Sequence, residues 1–313
     1  MAMHQASGRW RLGLALALVT AACWSTLPVA LKITLEVLDP YTLTWVRFVI
    51  AGAVMLAWLA ARGGLGGFAR LDRRRWWLLA IAGALLIANY VFYLLGVQHS
   101  TPGNAQLLIQ LAPLLMALGG IFVFHEHYRP GQWLGLAIIA TGLGLFFLDQ
   151  TGQSLVGPAQ YALGSAMVVV AALVWAGYAL IQKQLLLRLS SPAIMLFIYL
   201  MASLVLLPLA RPASLLRLDA LGLGLLAFCA LNTLVAYGAF AEALVHWEAS
   251  RVSTVLALTP LLSLAVIAGV HSLWPQAIAP ESVGAWGYVG AVLVVAGSAM
   301  AALLGNRARA VRA

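Results

Sequence analysis

The residues that could do chemistry in this sequence gather in one stretch, 89–110, which reads NYVFYLLGVQHSTPGNAQLLIQ. Asn89, Tyr90 and Tyr93 stand near the end of one apolar run, and Asn104, Gln106 and Gln110 near the start of the next. The connection between them, 98–103, carries no Lys, Arg, Asp or Glu. Amides and phenols donate and accept hydrogen bonds without fixed charge, and a phenol ring adds a flat apolar face. Set between two apolar runs, such groups predict a wet pocket inside a membrane protein.

The elements that must position these groups follow from composition. The chain of 313 residues is 63% hydrophobic and 9% charged, with a mean hydropathy of +0.97. A water-soluble domain needs more polar surface than that. Apolar runs of about 20 residues recur along the chain, enough to cross a hydrocarbon core of roughly 30 Å as helices. Ten-residue strands alternating apolar and polar, the mark of an outer-membrane barrel, are missing. The reading is an all-α membrane protein with ten transmembrane helices. They are expected at 12–31, 42–61, 76–98, 103–123, 132–148, 161–181, 193–210, 220–243, 252–271 and 286–304. The first run continues past Cys23 through Trp24 and Pro28, which predicts a retained span in place of a cleaved leader.

Charge then orients the chain. The net charge is +9, and the Lys and Arg sit mostly in short connections, where positive charge marks the cytoplasmic side. With the N-terminus inside, only Lys32, Arg211 and Arg217 of the 18 Lys and Arg fall outside, and Arg47 lies within a span. Both termini are therefore expected in the cytoplasm, the protein in the inner (cytoplasmic) membrane, and the number of crossings even. No basic and aromatic stripe lies outside the apolar runs, so nucleic acid is not an expected partner.

The two halves also repeat. Laying Leu12 on Leu163 brings Gly13 onto Gly164, Trp24 onto Trp175 and Lys32 onto Lys183. Further along, Tyr90 falls on Tyr237, His99 on His246, and Leu111-Ala-Pro113-Leu-Leu on Leu258-Thr-Pro260-Leu-Leu. Glu126, Gly135 and Gly142 then meet Glu281, Gly290 and Gly297. The order of these matches divides the chain into 1–150 and 151–313. Five spans per half is an odd number, so the second half enters the membrane inverted, as in secondary transporters that bind their solute between halves near mid-membrane.

Several elements carry a family resemblance: Trp24-Ser25, Asp39-Pro40 leading to Arg47-Phe48, the stretch 96–113 with its Leu-Ala-Pro-Leu-Leu, and Glu126 leading to Gly135 and Gly142. Together the halves resemble two tandem repeats of the EamA-type drug/metabolite transporter superfamily. The resemblance implies a ten-helix inner-membrane carrier, often an exporter of amino acids or other small metabolites. The second half departs from the pattern where Tyr199 stands at the position of Arg47 and Ser191 at that of Asp39. Glu126 and Glu281 correspond but belong to opposite faces, which suits scaffold residues better than solute ligands.

Polar residues within spans need a reason, because hydrocarbon penalises them. Trp24 and Trp175 lie mid-span in paired helices, Tyr178 one turn after Trp175, and Tyr237 beside Asn232 and Phe240 on one side of its helix. With Asn89, Tyr90, Tyr93, Asn104, Gln106 and Gln110 these form the expected lining of a central cavity. The alternative is aromatic and polar packing between helices. Such a lining suits a neutral or zwitterionic small-molecule substrate. Arg47 could meet a substrate carboxylate, or it could pair with helix-end carbonyls or a carboxylate on a neighbouring helix. Lys32 and Lys183 are gate or boundary residues where Lys snorkels. Glu242 is the candidate for proton coupling, the alternative being a solvated helix-end acid. Pro113 and Pro260 interrupt hydrogen bonding in paired helices and are candidate hinges, or static kinks.

Other functions are not supported. His125-Glu126-His127 points around a helix and is not a metal motif, so no metal is expected. No G-x-x-x-x-G-K-[ST] occurs, and no cofactor is expected. Neither a G-x-S-x-G nor a paired-acid site suggests an enzyme. The reading is a secondary transporter exporting small metabolites, plausibly aromatic or apolar amino acids, by alternating access. Its alternatives are drug or other metabolite efflux or uptake and, further off, a passive channel. The sequence leaves the oligomeric state open: Gly131 and Gly135 could pack a helix within the chain or against a second copy.

Overall fold

The computed structural model describes residues 9–124, 129–153, 157–247 and 249–305. Among the described residues every regular element is helical: α1 (Trp10–Thr34), α2 (Pro40–Ala61), α3 (Arg73–His99), α4 (Pro102–Leu108), α5 (Leu111–Phe124), α6 (Pro130–Gln153), α7 (Pro158–Leu185), α8 (Ser191–Val205), α9 (Ala220–His246), α10 (Ala249–Leu256), α11 (Thr259–Leu273) and α12 (Ala285–Gly305), with short 3₁₀ turns at Gly64–Arg70 and Pro212–Arg217. Among the described residues seven helical stretches are long and apolar enough to cross a membrane, and Ser191–Val205 and Ala285–Ala301 are shorter apolar helices. Outward-facing Leu187, Leu204, Phe122 and Leu273 are each more than two-thirds exposed, a surface suited to lipid rather than water.

Local chemistry starts the helices where the apolar runs begin. Asp39 accepts hydrogen bonds from the Tyr41 and Thr42 N–H groups, with Pro40 in the first turn of α2. Asp72 caps α3, Thr101 caps α4, Ser190 caps α8 and Asp219 caps α9 in the same way. A side-chain acceptor satisfies N–H groups that the first turn leaves without partners, and proline has none to satisfy there.

Two of the expected spans, 103–123 and 252–271, are each broken into two helices. Residues 109–110 separate α4 from α5, and 257–258 separate α10 from α11. Proline follows each break directly, Pro113 as the third residue of α5 and Pro260 as the second of α11. A proline ring clashes with the carbonyl four residues earlier, which is the physical reason a continuous helix does not run through.

The helices pack in a reciprocal pattern. α1 lies chiefly on α9 and α3 on α7, while α2 lies on α8 and α6 on α12. Exchanging helices by the repeat register turns the first contact into the second and leaves the last two unchanged. The main core, including Phe48, Leu86, Tyr90, Ile198 and Tyr199, forms where α2, α3, α7 and α8 meet. The Gly131 and Gly135 pair packs within the chain, Gly131 against Leu304 and Gly135 against Ala301 of α12.

Candidate functional site

The capped start of α2 sets its register, and two turns later Arg47 and Phe48 enter the core. The Phe48 ring lies 4.6 Å from that of Tyr90 on α3 and 5.5 Å from that of Tyr199 on α8, centroid to centroid. The guanidinium of Arg47 lies 5.1 Å from the centre of the Tyr90 ring. Its Nε and Nη2 donate to the Thr233 hydroxyl of α9 at 3.2 and 3.1 Å. The phenols of Tyr90 and Tyr237 of α9 lie near one another. Tyr237 in turn meets Trp24 of α1 edge-on at 5.7 Å, and Phe240 lies 5.8 Å from Trp24. Trp24, Tyr90 and Tyr237, expected together from the sequence, are thus linked from α1 through α9 to α3.

This cluster offers two kinds of attraction. Ring pairs at these separations attract beyond simple burial, by about 0.5–1.5 kcal/mol each. A ring face also attracts a cation, and Arg47, 2% exposed, uses one. Neither partner expected from a structural role for Arg47, helix-end carbonyls or a carboxylate, is found beside it among the described residues. Tyr90, Tyr93, Tyr199 and Cys229 lie within reach of its charge.

The other expected residues divide. Tyr178 and Trp175 border the same core, the Tyr178 hydroxyl donating to the Met195 sulfur at 3.3 Å. Asn89 donates to the Ala171 carbonyl at 2.9 Å and so ties α3 to α7. Asn104 donates to the Ser165 hydroxyl at 2.9 Å and accepts from Tyr161 at 2.7 Å, binding α4 to α7. Tyr93 donates to the Gln106 side-chain carbonyl at 3.1 Å. Gln110 lies in the turn between α4 and α5, half-buried.

The expected gate residues lie at helix ends. The Lys32 ammonium donates to the carbonyls of Val97, Gln98 and Ser100 at 2.9–3.0 Å, closing the C-terminus of α3. Lysine there also suits the negative end of the helix dipole. Beside it Glu281, from the segment before α12, accepts from the N–H groups of Gly103 and Asn104 at 3.0 and 3.1 Å and from the Thr101 hydroxyl. Burial pushes the Glu281 carboxyl above the ordinary carboxylate range, against those hydrogen bonds and the charge of Lys32. Lys183 is exposed near the end of α7. The carboxylate of Glu242, 57% exposed, meets His246 at 3.1 Å one turn on, away from the aromatic cluster. The segment 125–127 and the basic tail 306–313 lie outside the described residues, as does Glu126. Among the described residues no three His, Cys, Asp or Glu side chains gather as a metal site would need.

Sequence reasoning left Phe48, Tyr199 and Thr233 out of the candidate lining. Phe48 was marked only through the family resemblance and Tyr199 only as the counterpart of Arg47, and Thr233 carried no signal because it is one of many hydroxyl residues in apolar helices.

Comparison with known proteins bears on the whole chain. The profile of the EamA-like transporter family matches twice, over residues 11–148 and 162–303. YhbE, an inner membrane transporter of Escherichia coli (strain K12), is 38% identical over 306 residues, 97% of this chain and 94% of its own. The aromatic amino acid exporter YddG of Ancylobacter novellus is 30% identical over 164 residues, 51% of this chain and 54% of its own. A solved crystal structure matches with a TM-score of 0.63 over 97% of this chain and 99% of its own; at 21% identity it speaks for the fold alone. A profile that fits each half in turn, over helices whose packing is reciprocal between those halves, leaves one assignment: the chain belongs to the EamA-like transporter family, as two tandem EamA repeats.

Proposed function

We propose that the protein is a secondary transporter of the inner membrane that exports small metabolites, aromatic or apolar amino acids first among them. In this reading ten helices cross the bilayer, α4 with α5 and α10 with α11 each counting as one broken crossing. Residues 1–150 and 151–313 form two inverted repeats, both termini are cytoplasmic, and the repeats rock about a central cavity. The reciprocal packing of α1 on α9 and α3 on α7 supports the inversion. The charge asymmetry of the connections supports the orientation.

The observation that carries the reading is the cluster of Trp24, Tyr90 and Tyr237, which brings aromatic faces and phenol groups of the two repeats together. Flat faces with hydrogen-bonding tips suit a small amphipathic solute. The amino-acid export named for YddG supports the same solute class. Counterflow in proteoliposomes loaded in turn with amino acids, nucleosides and cationic drugs tests it. Saturable exchange of an aromatic or apolar amino acid is the expected result. Non-saturating conductance would make the protein a channel instead.

A further inference from the structure

Arg47 is a buried cation whose counter-charge is missing among the described residues. The chain has nine acidic residues, and those described are placed elsewhere. Asp39, Asp72 and Asp219 cap helices. Asp149 accepts from the Gly284 N–H, Glu281 holds the start of α4, and Glu242 meets His246. Glu36 is exposed beyond the end of α1, and Glu126 and Glu248 lie outside the described residues. Among the described residues Arg47 donates to the Thr233 hydroxyl alone, which passes its own hydrogen to the Cys229 carbonyl at 3.0 Å. A guanidinium has five N–H donors, and an isolated charge in low dielectric is costly.

A second polar group here is also incomplete. Asn232, 3% exposed, precedes Thr233 on α9. Its amide nitrogen donates to the Cys23 carbonyl at 2.8 Å, which leaves the oxygen as the free end. That Oδ1 is buried and has no hydrogen-bond partner among the described residues. A buried orphan acceptor in a folded protein calls for a ligand or an equivalent donor.

The repeat shows that the fold does not require these groups. Tyr199 occupies the place of Arg47 in the second repeat. In the register that lays Tyr90 on Tyr237, Leu85 and Leu86 occupy those of Asn232 and Thr233. The repeat-related crossing of α3 with α8 has Tyr199 and leucines in their place, with Tyr199 and Leu86 each 1% exposed. One crossing carries a cation and an orphan acceptor, while its repeat counterpart has neither a cation nor an amide there.

We propose that Arg47 and Asn232 form a zwitterion-binding pair: Arg47 takes the carboxylate of an α-amino acid, and Asn232 Oδ1 takes its ammonium. Arg47 meets Thr233, and Asn232 is the adjoining residue, so both incomplete groups belong to the same turn of α9. Trp24 and Tyr237, both half-buried and edge to face, offer the side chain of such a solute an aromatic surface. This rests on the reading of the cluster as the substrate site of a carrier.

The test uses the purified full-length protein with L-phenylalanine, 2-phenylethylamine, which lacks the carboxylate, and 3-phenylpropionate, which lacks the ammonium. Counterflow gives half-saturation, and the ligand-induced rise in Tm in detergent gives binding. Wild type is expected to prefer L-phenylalanine to either analogue by about tenfold or more, as charge-assisted hydrogen bonds imply. Arg47→Met should raise half-saturation for L-phenylalanine about 10- to 100-fold, abolish its preference over 2-phenylethylamine, and leave the ligand-free Tm undiminished. Asn232→Leu, which copies Leu85, should instead abolish the preference over 3-phenylpropionate, and it carries the test if Arg47→Met does not fold. Equal exchange of L-phenylalanine and 2-phenylethylamine by wild type overturns the proposal. So does an Asn232→Leu variant, or an Arg47→Met variant with a lowered ligand-free Tm, whose affinity is unchanged. Exchange of nucleosides or drugs without any amino acid would sink the pair and leave the carrier standing. Absence of all saturable exchange would remove both.

Discussion

Gly142 of α6 and Gly290 of α12 meet backbone to backbone. A Cβ on Gly142 would lie 2.6 Å from the Gly290 carbonyl oxygen, and one on Gly290 would lie 2.5 Å from the Gly142 carbonyl oxygen. Gly135 and Gly297 repeat the contact one crossing along the same pair, at 2.8 and 2.7 Å. Small residues let membrane helices approach this closely. Gly142→Ala should therefore push the helices apart and cost about 1–3 kcal/mol, read as a lower Tm in detergent. Gly144, two residues on, has open space where its Cβ would be. Gly144→Ala should raise Tm, since alanine is favoured over glycine by about 1 kcal/mol inside a helix. Equal effects of the two substitutions would remove the close-contact argument.

Glu281 should stabilise the start of α4. Glu281→Ala leaves the Thr101 hydroxyl and the Gly103 N–H without their acceptor, and the Asn104 N–H with the Thr101 oxygen alone, at about 1–3 kcal/mol. Because burial raises its folded-state pKa, its contribution is largest below the ordinary carboxylate value and declines as pH rises through the raised one. The Tm gap between wild type and Glu281→Ala should thus narrow from acid toward neutral pH. A gap that widens over that range would contradict the assigned direction.

Trp24→Ala and Tyr90→Ala should each raise the half-saturating concentration of the transported solute by about tenfold or more, as loss of a stacking face of roughly 1.5 kcal/mol implies. Trp175, which borders the core from its edge, should matter less. Unchanged transport in Tyr90→Ala would take the aromatic cluster out of the substrate site.

Pro260 follows the break between α10 and α11. Replacing it with alanine restores an N–H and removes the ring that blocks a continuous helix. If the break is a hinge, Pro260→Ala lowers the rate of counterflow and leaves half-saturation nearly unchanged. An unchanged rate would identify the break as a static kink.

Membrane class, helical class and the two-fold internal repeat were legible in the sequence because each is a sum of local terms. Hydropathy accumulates residue by residue, caps such as Asp39-Pro40 act on their own first turn, and repeat register needs no knowledge of contacts. The expected spans accordingly lie on the helices found, apart from the breaks before Pro113 and Pro260 and the span 193–210, whose helix ends at Val205. Choosing among polar residues was a different matter. Asn89 and Asn104 looked as fit for a pocket as Tyr90, yet the folded chain uses them to tie α3 and α4 to α7. Arg47 found its partner 186 residues away in Thr233, and the orphan oxygen of Asn232 exists only because the Cys23 carbonyl took the other end of the amide. Hydrogen-bond partners are settled by which helix faces meet, and in lipid nothing else is available to satisfy a polar group. The tertiary structure therefore decided which polar side chains hold the scaffold and which remain unpaired.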